Sequence, residues 1–135
     1  MASLLYKKGD ATKPEELGHK TLIHVCNTTY RWGRGFVLAV SKRWPEPRKV
    51  YMQARELNLG DIQIVDVEEN FRLVNMIAQV GIHPRNGIQP IRYEALHQCL
   101  MKVAKDIRDS GKDTTVVAPR IGCGLAGGSW KKVER

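Results

Sequence analysis

Two glycine-rich runs carry the residue types and spacing that could do chemistry. In Pro119-Arg120-Ile121-Gly122-Cys123-Gly124-Leu125-Ala126-Gly127-Gly128-Ser129-Trp130, four glycines fall within seven positions. Without Cβ atoms, successive N–H groups there can converge on an anion such as a pyrophosphate. No Gly-Lys-Ser/Thr closes the run, and it is not GxGxxG with an acidic residue about 20 positions on, so neither a Walker loop nor a dinucleotide fingerprint accounts for it. The second run, Asn27-Thr28-Thr29-Tyr30-Arg31-Trp32-Gly33-Arg34-Gly35, precedes an apolar stretch beginning at Phe36. A GxG before a helix offers free N–H groups and the positive end of a helix dipole, although a plain tight turn would read the same way. A third segment, Gln79 to Pro90, holds Gly81, Pro84, Gly87 and Pro90 and is a candidate flap.

The elements that must position these loops follow from periodicity. Ser3 to Tyr6 is a candidate edge strand ended by a Gly9-Asp10 turn, and Thr21 to Cys26 is an apolar run of strand length. Gly33 to Arg43 reads as a helix, and Pro45 and Pro47 end it and open a second one reaching Asn58. Asp61 to Val67 alternates, Phe71 to Ala78 is more continuously apolar, and Glu68-Glu69-Asn70 between them predicts a hairpin. Tyr93, Leu96, Leu100, Val103 and Ile107 step by three and four, the stripe of an amphipathic helix stopping near Gly111. Thr114 to Ala118 is a short strand leading into the four-glycine run. Strands alternating with helices imply an α/β sandwich with a parallel or mixed sheet, in which ligands sit beyond the carboxyl ends of the strands.

The 135 residues are 42% hydrophobic and 27% charged, the composition of one ordinary domain. Lysine and arginine number 22 against 14 acidic residues, a net charge of +8 that favours anionic partners. No apolar stretch approaches the roughly 20 residues of a membrane span, and no secretory signal opens the chain, so a cytoplasmic location and no membrane partner are expected. Cys26, Cys99 and Cys123 form no CxxC pair and read as reduced thiols; no ligand spacing predicts a metal, and no cofactor is implied.

The runs YKKGD, LIHVCNTTYRWGRGF, NMIAQVGIHP, PIRYEAL and PRIGCGLAGGSW stand in the order found in macrodomains, and the chain resembles that family over essentially its whole length. The nearest branch resembles the terminal ADP-ribose–protein glycohydrolase, the DNA ADP-ribosyl glycohydrolase antitoxins and small bacterial stand-alone macrodomains. The resemblance implies a three-layer α/β/α fold with a mixed central sheet and ADP-ribose as ligand. It places the turn Gly9, Asp10 and Ala11 at the adenine, with the Asp10 carboxylate accepting from the amino group. Trp32, Gly33, Arg34, Gly35 and Phe36 then form a first phosphate loop. Pro119, Arg120, Ile121, Gly122, Cys123, Gly124, Leu125, Ala126 and Gly127 form a second, around the diphosphate and distal ribose, and Asn27 and Gln79 lie near that ribose.

The resemblance puts the catalytic lysine of the protein-directed glycohydrolase at Gln79, give or take one residue, and its catalytic aspartate at Ala126. An amide cannot form a Schiff base with the opened sugar, and a methyl group cannot transfer a proton. Hydrolysis of an ADP-ribosyl ester on an acidic side chain would then rest on a water positioned by Asn27, Gln79 or the ligand's own phosphate. A non-catalytic ADP-ribose reader and a hydrolase of ADP-ribosylated nucleic acid are the alternatives to a hydrolase of ADP-ribosylated protein. A sequence-independent nucleic-acid binder is disfavoured, because no aromatic platform alternates with the basic residues. His24 reads as a core residue, and Cys123 has no histidine placed beside it. The single macrodomain expected over residues 1–135 lacks the family's usual last helix and closing strand, which predicts self-association through the open edge.

Overall fold

The computed structural model describes residues 3–4, 11–14, 18–33, 35–81 and 91–119. Eight elements follow in order: β1 (Ser3–Leu4), β2 (Lys20–Asn27), α1 (Phe36–Arg43), α2 (Glu46–Gln53), β3 (Ile62–Glu68), β4 (Phe71–Gln79), α3 (Tyr93–Ser110) and β5 (Thr115–Val117). The strands form one sheet in the order β1-β5-β2-β4-β3. The first four in that order are parallel to one another and β3 is antiparallel to β4, so the sheet is mixed. The β3–β4 hairpin turns at Asn70, whose φ of 58° is the left-handed geometry that asparagine tolerates.

Strand alternation divides the core in two. On one face Ile23, Val74, Met76 and Ala78 meet Ala95, Leu96, Cys99 and Val103 of α3. On the other, Leu22, Phe71 and Leu73 meet Val40 of α1 and Trp44 just after it, while Cys26 and Ile77 meet Tyr51 of α2 and Leu57 beyond it. Helices therefore cover both faces, the three-layer α/β/α arrangement that the resemblance implies. Buried Asn75 crosses this frame: its Nδ2 donates to the Pro47 carbonyl (3.1 Å) and to Gln63 Oε1 (3.2 Å), and its Oδ1 faces His24 Nε2 at 2.5 Å. One side chain thus ties β2, β3, β4 and the start of α2 together.

Two helices differ from their expected bounds for local reasons. Helix α1 starts at Phe36 rather than Gly33, because Gly33 lies at φ 90°, outside the helical region. Helix α2 stops at Gln53, five residues before Asn58; Ala54 is extended, and the Tyr30 hydroxyl donates to the carbonyls of Ala54 (2.9 Å) and Arg55 (3.0 Å) that the helix releases. The path beyond drops Leu57 into the core beside Tyr51.

Helix α3 ends where expected, at Gly111 in the left-handed conformation (φ 68°), with open space where a Cβ would stand. The cost of a side chain there is therefore in the backbone alone. Gly111→Ala is expected to lower unfolding free energy by about 1 kcal/mol in urea titration, and an unchanged midpoint would show that the cap tolerates another geometry.

Candidate functional site

Parallel pairing brings the ends of β2 and β4 to one edge, where Asn27 is the register partner of Gln79. Strands β5 and β1 run the same way, so the segments after all four parallel strands leave from that edge. The loop from Thr28 to Gly33 after β2 is among the described residues, whereas Gly9-Asp10, residues 82–90 of the flap and the four-glycine run lie outside them. The flap leaves and returns at one point: Gln79 and Ile91 form an antiparallel bridge, and Arg92 N–H donates to the Ala78 carbonyl (2.8 Å).

The loop after β2 is built around the Asn27 side chain. The strand register shifts between Cys26 and Asn27, which re-aims the residue at the edge. Asn27 Nδ2 donates to the Arg31 carbonyl (2.6 Å), while Oδ1 accepts from Thr29 N–H (2.9 Å), the Thr29 hydroxyl (2.8 Å), Arg31 N–H (3.3 Å) and the Tyr51 hydroxyl (2.7 Å). The residue is 3% exposed, and both ends of its amide are engaged by this loop and by Tyr51. Gln79 is half-buried, and its Nε2 donates to the Gly81 carbonyl (2.8 Å).

Beyond Asn27 the loop rests on aromatic rings. The Trp32 indole N–H donates to Ser41 Oγ (2.7 Å) and the Val37 carbonyl (3.2 Å), which fixes the loop to α1. Its ring lies 5.6 Å from Tyr51 and 5.5 Å from His24, and His24 lies 5.9 Å from Phe36. Ala11, Trp32 and Phe36 pack against the same cluster of Leu22, Val40, Trp44, Phe71 and Leu73, so the turn that follows Asp10 meets the first loop. Gly35 precedes α1 with no side-chain cap, and the Leu38 N–H donates back to the Gly35 carbonyl (3.0 Å). From Asn27 to Phe36 the sequence holds no acidic residue, and Arg31 is exposed. That combination is suited to an anion.

Of the sequence-derived residues, the structure brings together Ala11, Asn27, Trp32, Gly33, Gly35, Phe36 and Gln79 at or beside this edge, with half-buried Pro119 following β5. Gly9, Asp10, Arg34, Arg120, Ile121, Gly122, Cys123, Gly124, Leu125, Ala126 and Gly127 lie outside the described residues. Tyr51, which reaches Asn27 from α2, escaped sequence reasoning; its one signal was an i, i+4 spacing from Pro47, the other buried position of α2. Among the described residues no group of three or more His, Cys, Asp or Glu could hold a metal, and no helix is long and apolar enough to cross a membrane.

Among solved structures, a Bacteroides thetaiotaomicron protein of unknown function is 46% identical with a TM-score of 0.91, over 98% of this chain and 87% of that one. A macrodomain protein from Streptomyces coelicolor is 41% identical with a TM-score of 0.77, over 99% of this chain and 86% of that one. The chain belongs to the macrodomain family. Thermosipho africanus DarTG, solved in complex with ADP-ribose, shares the macrodomain fold at 20% identity and a TM-score of 0.63, over 85% of this chain and 33% of that one. An ADP-ribose 1″-phosphate phosphatase of Saccharomyces cerevisiae is 34% identical over 56 residues, so the match spans 42% of this macrodomain and 31% of the curated relative. No known family profile matches the chain.

In this macrodomain His24 lies wholly inside, and burial lowers its pKa to about 4 against the opposing hydrogen bond to Asn75. Because Asn75 Nδ2 faces two carbonyl-type oxygens, its Oδ1 must accept, and His24 carries its proton on Nε2. Burial also raises the pKa of the Cys26 thiol, and that of Cys99 to about 11, so neither is a nucleophile at neutral pH. The unfolded chain protonates histidine near 6.5, so His24 costs stability only below that value, and the loss grows as pH falls toward 4. The wild-type protein is expected to lose up to about 3 kcal/mol more than His24→Gln over that window. Parallel pH–stability curves for the two proteins would contradict a buried, neutral His24.

Proposed function

We propose that the chain binds ADP-ribose at the carboxyl edge of its parallel strands and hydrolyses ADP-ribosyl esters on acidic side chains. The observation that carries this reading is the first loop: a backbone held by Asn27, a start of α1 without a side-chain cap and no acidic side chain from Asn27 to Phe36. Such a loop suits a diphosphate. Membership of the macrodomain family, the ADP-ribose held by the Thermosipho africanus neighbour and the ADP-ribose 1″-phosphate substrate in the name of the yeast relative support the choice of ligand. In this reading Asp10 accepts from the adenine amino group, Gly33 to Phe36 and Gly122 to Ala126 wrap the phosphates, and Gln79 lies by the distal ribose. The net charge of +8 draws in an anionic ligand, whether carried on protein or on nucleic acid.

Hydrolysis adds water across the ester and yields ADP-ribose and a free carboxylate. The resemblance puts Gln79, give or take one residue, where the protein-directed glycohydrolase carries a lysine, and in this reading the chemistry proceeds without a covalent sugar intermediate on a side-chain amine. Water is oriented by Gln79 and the ligand phosphate, and loop N–H groups stabilise the developing charge. A second reading, a reader that binds without turnover, is favoured by one observation: the amides of Asn27 and Gln79 both bond to their own loops.

Incubation with a substrate mono-ADP-ribosylated on glutamate, with calorimetric titration of free ADP-ribose in parallel, separates the readings. Release above the buffer blank with saturable binding is the expected outcome; binding without release makes the protein a reader, and neither result refutes both. Gly124→Glu is expected to abolish binding under either reading. Gln79→Ala is expected to slow release by about tenfold or more while changing affinity by less than about threefold, and equal losses in both would remove Gln79 from the chemistry.

A further inference from the structure

We propose that Tyr51 is a positioning residue for the ligand loop. It acts from α2 through the Asn27 amide. The proposal deepens the ADP-ribose reading and rests on it for the choice of ligand, but its geometric basis is independent. Five hydrogen bonds converge on the Asn27 side chain, and four of them come from the Thr29 and Arg31 positions of the same loop. Those four fix the loop's internal shape without tying it to the rest of the protein. The fifth comes from the Tyr51 hydroxyl, 2.7 Å from Oδ1 and 2.9 Å from the Asn27 carbonyl, so one proton is shared between the side chain and the backbone of the same residue.

Tyr51 is fully buried and packs with Cys26, Leu57 and Ile77, so its hydroxyl cannot follow a moving loop. Its ring also lies 5.6 Å from Trp32 and 6.2 Å from Tyr30, the two aromatic residues of the loop. Helix α2 therefore sets where the Asn27 amide, and with it the loop backbone leading to Gly33 and α1, stands relative to the strand edge. Preorganisation of this kind lowers the entropic cost of ligand capture rather than adding a ligand contact.

Tyr51→Phe keeps the ring and removes only the hydroxyl. It is expected to lower ADP-ribose affinity by about tenfold and to speed amide hydrogen exchange at Thr29 and Arg31 in the free protein. In an Asn27→Ala background the same substitution is expected to have no further effect on affinity. Gly111→Ala, a destabilised control at the opposite end of the molecule, is expected to bind ADP-ribose as the wild type does. Unchanged exchange at Thr29 and Arg31 together with unchanged affinity in Tyr51→Phe would overturn the proposal, as would an equal loss of affinity in the control. If wild-type protein fails to bind ADP-ribose, the ligand reading falls, while the exchange measurement still decides the positioning role. Should Tyr51→Phe not fold, Thr29→Val at an exposed position removes another donor to the same oxygen. It must raise exchange at Arg31 for the proposal to stand.

Discussion

A parallel strand has no tight return, so the chain leaving β2 must cross the sheet edge before α1 begins, with backbone groups that no ladder satisfies. The Asn27 amide takes that place. It stands in for a neighbouring strand, accepting from the N–H groups of Thr29 and Arg31 and donating to the Arg31 carbonyl. Everything beyond the edge depends on this substitution of side chain for backbone. Gly33 can take its positive φ, Trp32 can lie over the core and α1 can begin uncapped because the preceding turn is already held.

The layer beneath the loop is neutral by construction. His24 is kept uncharged by burial, Cys26 is kept a thiol, and the Asn75 amide links them to the sheet without introducing a charge. The ion pair of Arg72 and Asp106 lies near the amino ends of the strands, away from this edge. Backbone N–H groups and exposed Arg31 add positive potential at the site, which suits a ligand whose charge sits on a diphosphate and whose remainder is sugar and base.

Much of this was legible in the sequence. The β3–β4 hairpin and α3 follow from alternation and from a three-four stripe, because those patterns record burial against one partner surface. The end of α2 was not legible: Tyr30, 24 residues away from Ala54, takes the carbonyl that would have continued the helix, and no local preference encodes that. Asn27 was found as a site residue through resemblance, but its hydrogen bonds show it shaping the loop, a role that depends on a register shift visible only once β2 and β4 are paired. Tyr51 was missed because a single aromatic in a polar helix reads as an ordinary core contact. The four-glycine run, the strongest chemical signal in the chain, lies outside the described residues.

The proposed binding site is the carboxyl edge of the parallel strands, on a loop already shaped in the free protein. Amide chemical-shift mapping during an ADP-ribose titration tests it directly. Large shifts are predicted at Gly33, Gly35, Phe36 and Gln79, with Gly18 and Gly111 at the opposite edge unmoved. Absence of shifts, or shifts centred on Gly18 and Gly111, would contradict the account.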